Sequence, residues 1–212
     1  YKYTYAEEIT TLNYLINTTY VDMNVAANLI DTLVQYDKYG VLQPALAEKW
    51  EVSDDGLEWT FHLKKGVKWV DFEGNEVAET TANDFVASAK YILTKANESE
   101  SANIVYSVIK NAEEYFNEEI TDFAQVGVKA TDDYTLVYTL KEPVPYFESM
   151  LTYVSFFPVY EPFLEEMGDL FGTANSAILY NGAYLLTEFE PQIKRLLTKY
   201  EAYWDKAELQ IQ

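Results

Sequence analysis

One histidine, no cysteine and thirty-five acidic side chains set the chemistry open to this chain of 212 residues. His62 stands on the polar side of an alternating stretch, in which Leu57, Trp59, Phe61 and Leu63 interleave with Glu58, Thr60 and His62. Solvent or a surface partner is its expected environment. A serine–histidine–aspartate triad would have to use it, yet no G-x-S-x-G turn occurs. Zinc needs three or four nitrogen or sulfur ligands, which one histidine without cysteine cannot supply. Carboxylates could meet in a cleft as the acid pair of a glycosidase. The adjacent pairs Glu7-Glu8, Asp54-Asp55, Glu113-Glu114 and Glu165-Glu166, however, read as solvated faces or turns. The Asp71–Glu79 stretch lacks the alternating ligands and closing bidentate glutamate of a calcium loop. Eight scattered glycines build no phosphate cradle. Asn17-Thr18-Thr19 and Asn97-Glu98-Ser99 match the glycosylation pattern by chance. Nothing here points to catalysis, a metal or a cofactor.

The formal net charge of −20 repels phosphate backbones and anionic headgroups, arguing against nucleic acid and against polybasic membrane docking. No run of about 18 apolar residues is present to span a bilayer. The chain opens at Tyr1 without methionine or a charged-then-apolar leader and reads as trimmed, lacking a signal segment. Nineteen tyrosines suit a surface that grips varied partners, although tyrosine also decorates sheets.

Periodicity lays out the elements. Tyr1–Glu7 alternates as a strand, and Thr10–Tyr20 is polar and turn-like. Asp22–Val34 carries Val25, Ala26, Leu29, Ile30 and Leu33 at helical spacing. The Leu57–Leu63 strand is half of a hairpin turned at Asp54-Asp55-Gly56, where glycine accepts positive φ. Phe72–Val77 makes another turn. Thr81 with Asp84 three positions later is a capping-box variant opening a helix to about Lys95. A second helix spans Ala102–Asn117 beyond the polar Asn97–Ser101 connector. Val126, Val128 and Ala130 alternate as a strand, paired with Tyr134, Leu136, Tyr138 and Leu140. Tyr146–Tyr153 reads as a short helix, Pro158 and Pro162 bracket a loop into Phe163–Phe171, and Tyr184–Phe189 with Ile193–Lys199 forms a last hairpin. Irregular interleaving favours an α+β or mixed α/β architecture over a doubly wound parallel sheet.

Several collinear segments resemble the oligopeptide-binding family, the solute-binding proteins of peptide ABC importers (family 5). They are LAEKWEVSDDGLEWTFHLKKGVKW at Leu46–Trp69, Thr81-Ala82-Asn83-Asp84-Phe85-Val86, Gly127-Val128-Lys129-Ala130 with Asp132-Asp133-Tyr134-Thr135, Glu142-Pro143-Val144-Pro145-Tyr146-Phe147, Asn181-Gly182-Ala183-Tyr184 and Tyr203-Trp204-Asp205. The resemblance implies the first lobe of a two-lobed periplasmic-binding-protein-like fold (type II, cluster C). Residues 1–32 and 158–212 would form its discontinuous domain and 33–157 an inserted subdomain, the opposing lobe being absent.

It further implies an extracytoplasmic protein of the periplasm or, lipid-anchored, of the bacterial surface, with any membrane anchor outside this chain. Its partners would be an oligopeptide ligand and permease subunits with cytoplasmic ATPases; no cofactor and no enzymatic activity are implied. The ligand-binding residues carried over are Asn17, Thr18, Thr19 and Tyr20 in the loop after the first strand, and Tyr153. Family members often carry an acid where Thr18 falls. Asn181-Gly182 is expected to serve close backbone approach at a strand start. Other readings are a nickel chelate, sugar or signalling peptide on the same fold, a carbohydrate-active enzyme, or an adhesion module.

Overall fold

A computed structural model describes residues 7–205. The strand expected at Tyr1–Glu7 lies outside that range except for Glu7, which sits in a bend.

The centre is a four-stranded antiparallel sheet of β3 (Ala47–Val52), β4 (Glu58–Leu63), β7 (Val128–Asp132) and β8 (Thr135–Thr139), in the order β3-β4-β8-β7. Period-2 alternation sends Trp59, Phe61, Leu63, Leu136 and Tyr138 to one buried face. Helix α2 (Ala82–Leu93) packs against β7 and β8. The Phe147 ring meets Trp59 and Tyr138 edge-on at 5.4 Å each, the arrangement that ring quadrupoles favour. The β3–β4 turn forms as expected. Gly56 takes φ +72°, and the Asp55 carboxylate accepts from the Ser53 hydroxyl and the Leu57 amide, which hold its pKa low.

Short hairpins surround this sheet: β1 (Val34–Tyr36) with β2 (Leu42–Pro44), β5 (Lys68–Val70) with β6 (Glu76–Glu79), and β9 (Tyr184–Glu190) with β10 (Lys194–Lys199). At the head of α2 the capping box is complete. Asp84 Oδ2 accepts from the Thr81 amide at 2.8 Å and from buried Trp69 Nε1 at 2.9 Å. Burial dominates its environment and pushes the Asp84 carboxyl up to about 7 despite both bonds.

Four expectations change. The first helix, α1, runs Tyr20–Leu29 rather than Asp22–Val34. Thr19 caps it two residues earlier, and Ile30 turns extended, so that Leu33 and Val34 join the β1 region. The helix expected over Ala102–Asn117 divides into α3 (Ala102–Val108) and α4 (Ala112–Phe116). Ile109 leaves the helix to bridge Leu140, and Asn111 takes a left-handed φ of 57°. The short helix expected at Tyr146–Tyr153 shrinks to α5 (Phe147–Met150). The proline-bracketed loop after it contains helix α6 (Glu161–Met167), whose first turn accommodates Pro162 because an N-terminal N–H needs no helical acceptor.

Early and late segments lock together. The Leu12 amide donates to the Gly172 carbonyl and the Gly182 amide to the Leu29 carbonyl, each at 2.9 Å. A Cβ at Gly182 would lie 2.7 Å from the Leu29 carbonyl carbon, so the close approach expected of this glycine is real. One continuous buried cluster runs from Ile9 to Leu186.

Candidate ligand-binding site

The loop leading into α1 is organised around a carboxylate. Asp22, only 5% exposed, accepts from the Thr10 amide at 2.9 Å, the Thr10 hydroxyl at 2.6 Å and Asn17 Nδ2 at 2.7 Å. Asn17 Oδ1 in turn accepts from the Thr19 amide at 2.8 Å, and the Thr19 hydroxyl accepts from the Asp22 amide at 3.4 Å. This is the N-cap geometry that satisfies an orphan donor of the first turn. On its other side the loop is tied to residues 99–100. Ser99 Oγ donates to the Leu15 carbonyl at 2.6 Å, the Glu100 amide to the Ile16 carbonyl at 2.9 Å, and the Thr18 hydroxyl to Glu100 at 3.2 Å.

Asn17, Thr18 and Thr19 therefore use their side chains to hold the loop's own shape. Tyr20 is different: at 78% exposure its ring stands clear of the core. Tyr153, 37% exposed, caps the 3-10 turn Val154–Phe156, which packs against α1, α2 and α3. The fold thus brings the two predicted segments onto adjoining elements, although they are more than 130 positions apart. The loop backbone is braced, Tyr20 is exposed and Tyr153 partly so. Among the described residues no group of histidines and acids could hold a metal ion.

Sequence reasoning missed Asp22 and Glu100 as loop organisers. The Thr19-x-x-Asp22 spacing is itself a cap pattern that would have located the helix start. It also missed a clamp at the other end of α1. Tyr203 Oη and Trp204 Nε1 donate to the same Asp31 oxygen at 2.9 and 2.6 Å, and Lys64 Nζ lies 4.7 Å from the Trp204 ring centre. The Asp31 amide donates to Asn181 Oδ1 at 2.9 Å. Desolvation raises the Asp31 carboxyl to about 6, against the lowering effect of its two donors. His62, half-buried, has Nε2 3.6 Å from Glu51 on the neighbouring strand, a surface partner of the expected kind. Among the described residues no helix is long and apolar enough to cross a membrane.

The family model for bacterial extracellular solute-binding proteins, family 5 (middle), matches residues 41–212. The chain is 43% identical over 208 residues to the oligopeptide-binding protein AmiA of Streptococcus pneumoniae, covering 97% of this chain and 31% of that protein. It is 41% identical over 208 residues to SarA of Streptococcus gordonii, another oligopeptide-binding protein, with the same coverage of 97% and 31%. The solved substrate-binding domain of an oligopeptide ABC transporter from Bacillus anthracis superposes with a TM-score of 0.89 at 34% identity, over 97% of this chain and 38% of that one. The chain spans about a third of the length of these relatives, and it belongs to the family 5 bacterial extracellular solute-binding proteins, with the mixed α/β architecture of their first lobe.

Proposed function

We propose that this chain supplies one wall of a peptide-capture cleft in an extracytoplasmic receptor, which hands its cargo to a membrane permease driven by cytoplasmic ATPases. The observation that carries the reading is the pairing of a braced backbone with the exposed ring of Tyr20 and the partly exposed ring of Tyr153 on adjoining elements. A peptide held as an extended strand needs main-chain partners at fixed positions and roomy, adaptable contacts for varied side chains. Tyrosine supplies broad contact area for the loss of few rotamers. The oligopeptide-binding names of AmiA and SarA support the same ligand class.

The backbone of Asn17–Tyr20 and the Tyr20 and Tyr153 rings are assigned to ligand contact. Residues 1–32 and 158–212 are assigned to one discontinuous domain and 33–157 to an inserted subdomain. Bonds joining Leu12 to Gly172, Leu29 to Gly182 and Asp31 to Tyr203 support that division. Closure of an opposing lobe would bury the ligand and shift an open–closed equilibrium. Lipid anchoring at the cell surface belongs to the same reading.

Isothermal titration tests it. With a random peptide mixture, this chain alone binds weakly or not at all, while a receptor containing both lobes binds and loses affinity in Y20A and Y153A. Micromolar affinity of this chain alone, or full affinity of both variants, overturns the proposal.

A further inference from the structure

Glu100 stands beside the loop assigned to ligand contact and is held there by its neighbours. Its amide donates to the Ile16 carbonyl at 2.9 Å. Ser99 before it is buried and donates to the Leu15 carbonyl at 2.6 Å; Ser101 after it is fully buried, its hydroxyl 3.2 Å from that of Ser99. Glu100 is the exposed residue between them. Its Oε2 accepts from the Thr18 hydroxyl at 3.2 Å. Among the described residues it is the one side chain from beyond α1 that bonds to a side chain of Asn17–Tyr20. A carboxylate has about four acceptor positions, and this neutral hydroxyl occupies one.

The charge around it is one-sided. Three stretches of chain meet here, because Tyr153 opens the turn Val154–Phe156 that packs against α1 and α3, and Glu100 lies two residues ahead of α3. They are residues 7–37, 96–109 and 142–193, and none contains a lysine, an arginine or a histidine. Cations that reach them from other segments sit against acids there: Lys90 at Glu161, Lys194 at Glu188 and Arg195 at Glu8. Among the described residues neither Glu100 nor Lys95, the basic residue closest to it along the chain, belongs to an ion pair. A fixed, unneutralised carboxylate on such a surface keeps a negative potential where cargo is to lie. The exposed Tyr20 ring, two residues past Thr18, attracts the same charge through its face.

We propose that Glu100 is a specificity-determining residue of this wall, which favours peptides that place a positively charged nitrogen beside Thr18. The inference rests on the peptide-capture reading and deepens it. Thr18 orients the carboxylate through Oε2, leaving Oε1 to accept from an ammonium or guanidinium group. A lysine or arginine side chain and a free amino terminus both carry that chemistry.

The test is isothermal titration of a receptor containing both lobes with alanine-based pentapeptides. One set carries lysine at each position in turn, a second carries norleucine there, and a third repeats both with an acetylated amino terminus. In the wild type a cation at one location, side chain or terminus, should tighten binding by roughly tenfold, as one charge-assisted bond does. Glu100→Gln keeps an oxygen for the Thr18 hydroxyl but no charge, and should shrink that advantage to about twofold or less. A lysine-against-norleucine ratio that E100Q narrows assigns the cation to a side chain; an acetylation effect that E100Q narrows assigns it to the terminus. Ratios that E100Q leaves as they are overturn the proposal, while peptide binding, and with it the capture reading, stands. If no peptide binds the two-lobed wild type, both fall.

Discussion

Replacing Asp84 by asparagine should change the pH dependence of stability more than stability itself. The carboxyl is raised from an unfolded value of 3.8 to about 7 because it is buried beside Trp69 under the first turn of α2. The native state therefore holds a proton that the unfolded chain releases, and the contribution to stability falls as pH rises from about 4 to about 7. Below that window the group is neutral in both states; above it the full desolvation penalty remains. At roughly 1.4 kcal/mol per unit, the penalty is on the order of 4 kcal/mol. The carboxamide introduced by D84N cannot ionise but keeps an oxygen that can accept from the Thr81 amide or Trp69 Nε1. In urea unfolding followed by tryptophan fluorescence, D84N and wild type should be near equal at about pH 4. The difference should move in favour of D84N by several kcal/mol as pH climbs past about 7. D84A, by contrast, leaves the buried Trp69 donor unmatched and removes the cap. It should lie below D84N by ~2 kcal/mol at every pH. A flat difference between wild type and D84N across this range would refute the assignment of the shift to burial of this carboxylate.

Other consequences can be measured with the same protein. Gly182→Ala drives a methyl into the Leu29 carbonyl and should cost ~1–3 kcal/mol in thermal or urea unfolding. Tyr203→Phe removes one of two donors to Asp31 and should cost ~1 kcal/mol, while a carboxyl-detected NMR titration finds the Asp31 pKa above its present value of about 6. In a receptor containing both lobes, Y20A should weaken peptide binding by about tenfold while leaving the melting temperature within a degree or two, because the ring is exposed.

Elements whose signals are local were legible from the residues alone. The Asp54-Asp55-Gly56 turn, the alternation of Leu57–Leu63 and the Thr81–Asp84 box each depend on neighbours within a few positions, and each appears where expected. The division of Ala102–Asn117 was not legible. Its helical spacing continues through Ile109, and only the bridge to Leu140, thirty-one positions away, pulls that residue into extended backbone. The candidate site divides in the same way. Resemblance pointed to Asn17–Tyr20 and Tyr153, but Asp22 reads from sequence only as a charge near a helix start. Its three contacts to Thr10 and Asn17 depend on how the loop folds back. The Asp31 clamp joins residues 172 and 173 positions apart and leaves no local periodic trace.

Helix α1, ten residues and about 15 Å long, is pinned at both ends, by Asp22 and Thr19 at one and by Asp31 with Asn181 at the other. It behaves as a strut. Under the proposed assignment of Tyr20 to ligand contact, the ring would turn on a backbone braced at both ends of the helix, and fitting differently shaped cargo would fall to side-chain rotation.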